Sequence, residues 1–326
     1  MFYQSNLDVI DDGLMSDPDL CELVTKDLWS SAISDPIEEF LSCPGKGIRA
    51  DLIDVAYAAG GGTGKTPSQF VMFVELLHAG SLIIDDIQDN SLHRRDQEAL
   101  HIKFGIPLAI NTGNWMYFAA FRLLAELNVD PKVAVRVFRH SLNVVKRCHE
   151  GQALDLTARF DSIHPADFWS TAKAISQLKT GSLTGLATWL GGIAANADDA
   201  SCHELSTFGM NLGIALQMQN DLIELKKAAR GTSLSDDLEN KRVTWPWGWL
   251  ANHYSTKQVN EIVNLAVNQR LDVQHVAVEL FDRIEDLAVG EIIQTVDASV
   301  SRLPQLETAD AIRLEKILTN LELQYV

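Results

Sequence analysis

Apolar residues recur every three to four positions through most of the chain, the spacing of amphipathic helices, and the interruptions fall at prolines and glycines. Pro67, Pro107, Pro131 and Pro165 each open a long stretch of helix-forming residues. Thr66-Pro67-Ser68-Gln69 reads as a capping box with proline at the first helical position, which predicts a helix starting there and running from Phe70 to Asp86. That segment is apolar on nearly every side and belongs at the centre of the fold. Gly105-Ile106-Pro107 ends one segment and starts another through Leu124, and the turn from Asn128 to Pro131 precedes a third. A fourth follows His164-Pro165, and a fifth runs from about Ser201 to Lys227. Alternating strand patterns are scarce, and no linker or internal repeat divides the chain. A single all-α bundle over residues 1–326 is therefore expected. Gly231 to Pro246 should be its long functional loop, with further amphipathic helices beyond about residue 255.

Polar residues break the central pattern at two places. Asp85, Asp86 and Asp89 end the first apolar helix, with Asp85 and Asp89 one turn apart on one face. Asn220, Asp221 and Glu224 follow the apolar run LGIALQMQ with the same i, i+4 spacing. An acidic triplet is most often a solvated helix end, but carboxylates emerging from a core helix need a counter-charge. Hard oxygen ligands one turn apart suit Mg²⁺, which combines a few carboxylates with substrate phosphates. If the two sets face each other, cations between them would serve metal-assisted ionisation of a phosphate ester.

Charge sharpens this picture. Lys+Arg 27 against Asp+Glu 44 gives a formal net charge of -17, which repels nucleic acid and anionic membranes, so an anionic substrate must be held by locally placed cations. Lys46 and Arg49 lie in PGKGIRA, Arg94 and Arg95 follow the first triplet, and Lys241 lies in the long loop. Lys179-Thr180-Gly181 interrupts a helix, where a kink can aim the lysine. The cysteines, Cys21, Cys43, Cys148 and Cys202, have no paired short spacing, so a reducing cytoplasm is expected. The acidic N-terminus carries no signal-peptide pattern, and no apolar run reaches membrane-spanning length.

These residues resemble the trans-type isoprenyl diphosphate synthases. Asp85-Asp86-Ile87-Gln88-Asp89 is similar to the family's first motif, DDxxD, within ELLHAGSLIIDDIQDNSLHRR. GKGIR, GQALDL, the KTG at 179–181 and ALQMQNDLIE resemble further family motifs in the same order, and GIPLAINTGNWMYF is similar to geranylgeranyl diphosphate synthases. The resemblance implies an isoprenoid-synthase bundle with a central active-site cavity, usually a homodimer. It implies Mg²⁺-triggered loss of diphosphate from geranyl or farnesyl diphosphate, three Mg²⁺ per site, and attack by isopentenyl diphosphate. By position, Lys46, Arg49, His78 and Arg95 would hold isopentenyl diphosphate. Arg94, Lys179, Thr180, Gln217 and Lys241 would hold the allylic diphosphate. Asp85, Asp86, Asp89, Asn220, Asp221 and Glu224 would hold the metals, and Asp85, Asp86, Asp89 and Lys179 would act in catalysis. Gly80 and Ser81, small and just before the triplet, imply a twenty-carbon product, with Leu77, Trp115 and Met116 as the candidate floor of the pocket.

Asn220 replaces a carboxylate of the usual second motif, which leaves a terpene cyclase or an irregular-coupling synthase of the same fold open as alternatives. GGGTGKT at 60–66 fits a relaxed P-loop, but ADLIDVAYAA before it reads as helix and not as the strand a P-loop needs. His93, His101 and His149 have no second donor at metal spacing, and Trp245, Trp247 and Trp249 are expected to pack.

Overall fold

Helices form where the apolar spacing places them. The computed structural model describes residues 24–323 apart from 44, 96, 128, 234, 268–272 and 304–307; the acidic N-terminal stretch and Cys21 lie outside the described residues. The main helices are α1 (Asp35–Ser42), α2 (Ile48–Ala59), α3 (Ser68–Asp89), α4 (Ile106–Ala125), α5 (Pro131–Thr157), α6 (Phe168–Ser176) and α7 (Ser182–Ala194). They continue with α8 (Asp199–Ala229), α9 (Asp236–Glu239), α10 (Trp245–His253), α11 (Thr256–Val267), α12 (Val273–Val300) and α13 (Thr308–Leu323). The strands among the described residues are β1 (His93–Arg94) and β2 (Gln97–Glu98), which pair as one short hairpin. Two compact units emerge, Met1–Ala50 with Pro67–Phe138, and Asp51–Thr66 with Arg139–Val326.

In the first unit, α3 packs on α4. Phe70 to Leu77 of α3 are all buried, and the Phe73 and Phe121 rings meet edge to face at 5.5 Å. Truncating a ring such as Phe73 to alanine would cost about 3–5 kcal/mol through lost transfer energy and the cavity left behind. The helices cross at two glycines. A Cβ on Gly80 would lie 2.7 Å from the Gly113 carbonyl oxygen, and one on Gly113 would lie 3.1 Å from that of Gly80. Gly80 therefore serves the helix crossing, where a phenylalanine would wedge α3 from α4. Met116 and Leu77 are buried in this unit.

The expected capping box does not form. The cap of α3 is Pro67, which offers no side-chain bond, while the Thr66 hydroxyl donates to Asp54 Oδ1 at 2.6 Å. This charge-assisted bond orients the hydroxyl toward Asp54. The glycine-rich segment at 60–66 follows helix α2 and no strand, so the P-loop reading fails on context.

In the second unit, α8 packs against both α7 and α12. The core there holds Phe160, Phe168, Trp245, Trp247 and Trp249, so the three tryptophans pack, as expected. Trp245 Nε1 still donates to Ser176 Oγ at 2.7 Å. Between α6 and α7 the chain makes a π-helical turn, Gln177–Gly181, a device that widens a helix and frees backbone and side-chain directions at functional sites. The expected long loop holds α9, and beyond it Val243 N–H bonds the Ala158 carbonyl at 3.1 Å and Phe160 N–H the Lys241 carbonyl at 2.9 Å.

Candidate active site

The first unit gathers the first acid triplet and its cations. Helix α3 presents His78, Ser81, Leu82, Asp85 and Asp89 along one stripe of half-buried positions. Asn90 then takes the left-handed conformation (φ 55) and stops the helix, and Arg95 does the same (φ 53) in the turn of the β1–β2 hairpin. This reversal folds Arg94 back onto Asp86. Arg94 Nε donates to Asp86 Oδ1 at 2.9 Å and to Oδ2 at 3.2 Å, and Asp86 is only 1% exposed. Burial pushes the Asp86 carboxyl up, while the Arg94 bond and charge oppose that shift.

Arg95 lies over the segment that carries Lys46 and Arg49. Its guanidinium donates to the Cys43 carbonyl, and a Cβ on Gly45 would lie 2.7 Å from it. Lys46 is exposed and Arg49 half-buried. His78 is held well below its ordinary pKa by burial and by the charges of Arg49, Arg95 and Arg94. Its imidazole therefore favours the neutral form near pH 7.

The second unit gathers the second acid set. The π turn sends Lys179 Nζ to Asp155 Oδ2 at 2.9 Å and places the Thr180 hydroxyl 2.8 Å from Gln217 Oε1. Gln217 Nε2 donates onward to Asp221 Oδ1 at 2.7 Å, and the Trp245 N–H donates to Asp221 Oδ2 at 3.1 Å. Glu224 Oε1 accepts from Ser235 Oγ at 2.8 Å and from the Asp237 N–H at 3.4 Å. Asn220, in contrast, is exposed.

Negative charge is in surplus here. Burial, then the charges of Glu224 and Asp155, push Asp221 up to about 7 against the Trp245 and Gln217 bonds. Glu224 is raised by burial and by Asp236. Asp237 is pushed well above the carboxylate range by burial and by Glu224, Asp221 and Asp155, with Arg242 opposing. A bound cation would relieve that repulsion, and hard carboxylate oxygens are the donors Mg²⁺ takes. By the same donor chemistry Asp85 and Asp89 fit Mg²⁺ in the first unit. No three His, Cys, Asp or Glu side chains among the described residues converge as a ready-made metal cage.

Lys241 turns elsewhere. In the left-handed conformation (φ 59), it bonds Asp161 Oδ2 at 2.8 Å, whereas its neighbour Arg242 is buried, 3.7 Å from Asp155 Oδ2. Asp155, Asp237 and Arg242 are thus members of the second set that sequence reasoning did not name. GQALDL contains Asp155, and Arg242 adjoins Lys241, so the signal was one residue away in the second case.

Comparison with known proteins shows the family and the fold. Residues 30–297 match the sequence model of the polyprenyl synthetase family. The chain is 27% identical over 230 residues to a geranylgeranyl pyrophosphate synthase of Eremothecium gossypii, covering 67% of this chain and 70% of that protein. It is 29% identical over 256 residues to a geranylgeranyl diphosphate synthase of Cyanophora paradoxa, covering 76% of this chain and 84% of that protein. A solved geranylgeranyl pyrophosphate synthetase from the archaeon Geoglobus acetivorans superimposes with a TM-score of 0.75 at 22% identity, covering 98% of this chain and 97% of that one. At that identity the likeness establishes the shared all-α fold of isoprenyl synthases.

Proposed function

The chain belongs to the polyprenyl synthetase family and is a trans-prenyltransferase, and from that premise we propose that it joins isopentenyl diphosphate to geranyl or farnesyl diphosphate, giving geranylgeranyl diphosphate. The observation that carries the reading is the half-buried α3 stripe, on which His78, Ser81, Asp85 and Asp89 share one face beside Arg94. Apolar and anionic parts of an allylic substrate need that juxtaposition.

Asp85 and Asp89 would hold Mg²⁺ in the first unit; Asp221 and Glu224, with Asn220 as a weaker amide ligand, would hold it in the second, up to three ions in all. Bound Mg²⁺ supplies Lewis-acid stabilisation of the departing diphosphate. The protein's own part is positional. Lys46, Arg49, Arg95 and the neutral His78 bind isopentenyl diphosphate; Arg94, Lys179, Thr180 and Gln217 bind the allylic diphosphate. Arg242, buried beside Asp155, is better placed than Lys241 to hold charge in the second set. Two substrates held in this way gain the orientation effect, and fixed cations stabilise charge developing on the leaving group.

Ser81, one turn before Asp85 on the same stripe, is the position that sets product length. Ser81→Phe should shorten the main product by one five-carbon unit, read by mass spectrometry; an unchanged product would move the determinant elsewhere. A homodimer accounts for a second feature: Ile106, Ile110 and Phe118 form an exposed stripe on α4, with Phe118 76% exposed. No helix among the described residues is long and apolar enough to cross a membrane.

The decisive assay incubates the protein with Mg²⁺ and geranyl or farnesyl diphosphate, with and without isopentenyl diphosphate. Linear elongation that requires isopentenyl diphosphate supports the reading. A cyclic or branched product made without it would favour the cyclase or irregular-coupling alternative, to which the exposed amide of Asn220 points.

A further inference from the structure

We propose that Thr184 is a positioning residue: seated against Gly213, its hydroxyl sets the register at which Thr180 meets Gln217. This rests on the prenyl-transfer reading, in which Thr180 and Gln217 hold the allylic diphosphate. Residues four apart on a helix share a face. Gly209, Gly213, Gln217 and Asp221 therefore line one edge of α8, while Thr180, Thr184 and Thr188 line one edge of the π turn and α7. The two rows meet rung by rung. A Cβ on Gly209 would fall on the Thr188 hydroxyl, and one on Gly213 would fall on the Thr184 hydroxyl. The third rung is polar: the Thr180 hydroxyl donates to Gln217 Oε1 at 2.8 Å, and Gln217 passes on to Asp221. Numbers rise along one row as they fall along the other, so a slip of one residue at the glycine rungs would part Thr180 from Gln217.

Thr184, with 0% exposure, is tied to the turn it serves. Its hydroxyl shares one proton between the carbonyls of Thr180, at 3.0 Å, and Gly181, at 3.1 Å, the last two residues of the π turn. Ser182 Oγ donates to the carbonyl of the first, Gln177, at 3.0 Å. Close backbone approach holds the turn from two sides. A Cβ on Gly151 of α5 would lie 2.6 Å from the Lys179 nitrogen, and one on Gly213 would lie 3.0 Å from the Gly181 Cα. Thr188 makes the same pair of bonds one turn further on, to the Thr184 carbonyl at 3.2 Å and the Gly185 carbonyl at 3.1 Å, but over ordinary α-helix. Threonines often bond back to their own helix in this way. Thr184 differs from Thr188 because the carbonyls it grips belong to the wider turn that aims Lys179 and Thr180.

The test uses the full chain with Thr184→Val, Thr184→Ser, Thr184→Ala and Thr188→Val. Mg²⁺-dependent binding of inorganic pyrophosphate is followed by calorimetry, and KM is measured separately for the allylic and isopentenyl substrates. Thr184→Val keeps the branched shape without the donor. It should weaken pyrophosphate and raise the allylic KM about tenfold, the usual effect of losing an orienting partner, and leave the isopentenyl KM within about twofold. Thr184→Ser keeps the hydroxyl and should return both values toward those of the wild type. Thr188→Val should lower the melting temperature as Thr184→Val does, since each loses a buried bond, yet leave pyrophosphate binding unchanged. No loss from Thr184→Val, equal losses in both KM values, failure of serine to rescue, or an equal loss from Thr188→Val would each overturn the proposal. If Thr184→Val fails to fold by circular dichroism, Thr184→Ala decides, and full pyrophosphate affinity there would overturn it as well. Failure of the wild-type chain to elongate any allylic diphosphate would sink the prenyl-transfer reading instead, and the pyrophosphate readouts would still decide the role of Thr184.

Discussion

The two acid sets look alike in spacing and differ in how their charge is balanced. In the first, the buried member, Asp86, meets a guanidinium that neutralises it. In the second, the buried member, Asp221, is held by two neutral donors, the Trp245 N–H and the Gln217 amide, while Glu224 and Asp155 repel it. Hydrogen bonds from neutral groups orient a carboxylate without removing its charge, so repulsion accumulates there, whereas in the first set the Arg94 bond and charge oppose both burial and the repulsion from Asp89. The first set thus holds a cation of the protein, Arg94, against its buried carboxylate. The second is built around a deficit that a metal or a proton fills.

The largest effect should come from the first set. Asp85→Ala is expected to lower turnover by about a hundredfold or more at saturating Mg²⁺, measured as product formed per unit time. A normal rate would remove the metal assignment there and with it the contrast.

A smaller effect separates the sets by pH. Asp221 has a folded pKa near 7 against an ordinary 3.8, so it holds its proton more tightly folded than unfolded. The stability it contributes is therefore complete below about pH 4 and is lost as pH rises toward 7. Metal-free protein should melt at a lower temperature at pH 7.5 than at pH 5.5, and Asp221→Asn should flatten that difference by a few degrees. Mg²⁺ with pyrophosphate should restore stability at pH 7.5 by mass action. A slope that survives Asp221→Asn unchanged would locate the charge surplus in Asp237 or Glu224.

The smallest expected change is Asn220→Asp. An exposed carboxylate added to the second set should raise turnover at limiting Mg²⁺ by a few-fold and do little at saturation, since ligand charge tunes affinity for hard cations. A changed carbon skeleton in the product would instead tie Asn220 to a specialised coupling.

Much of this was legible in the chain itself. Proline positions and apolar spacing determined the helices from α3 to α8 and the burial of α3, because burial of an apolar stripe is a local periodicity that tertiary packing preserves. The spacing of Asp85 with Asp89, and of Asn220 with Glu224, likewise put each pair on one helical face. Where neighbours in space compete for one group, sequence reasoning stopped short. Thr66 was assigned to a cap and went to Asp54, Gly80 was assigned to a pocket and serves a helix crossing, and Lys241 was chosen where Arg242 is the buried cation. Asp86 reads as the twin of Asp85 in the chain, yet only the hairpin that returns Arg94 gives it a different partner. Local pattern fixes which face a side chain takes, since that depends on backbone period alone. Which charge it meets depends on chain reversal and on residues far away in sequence, and that was decided by the tertiary structure.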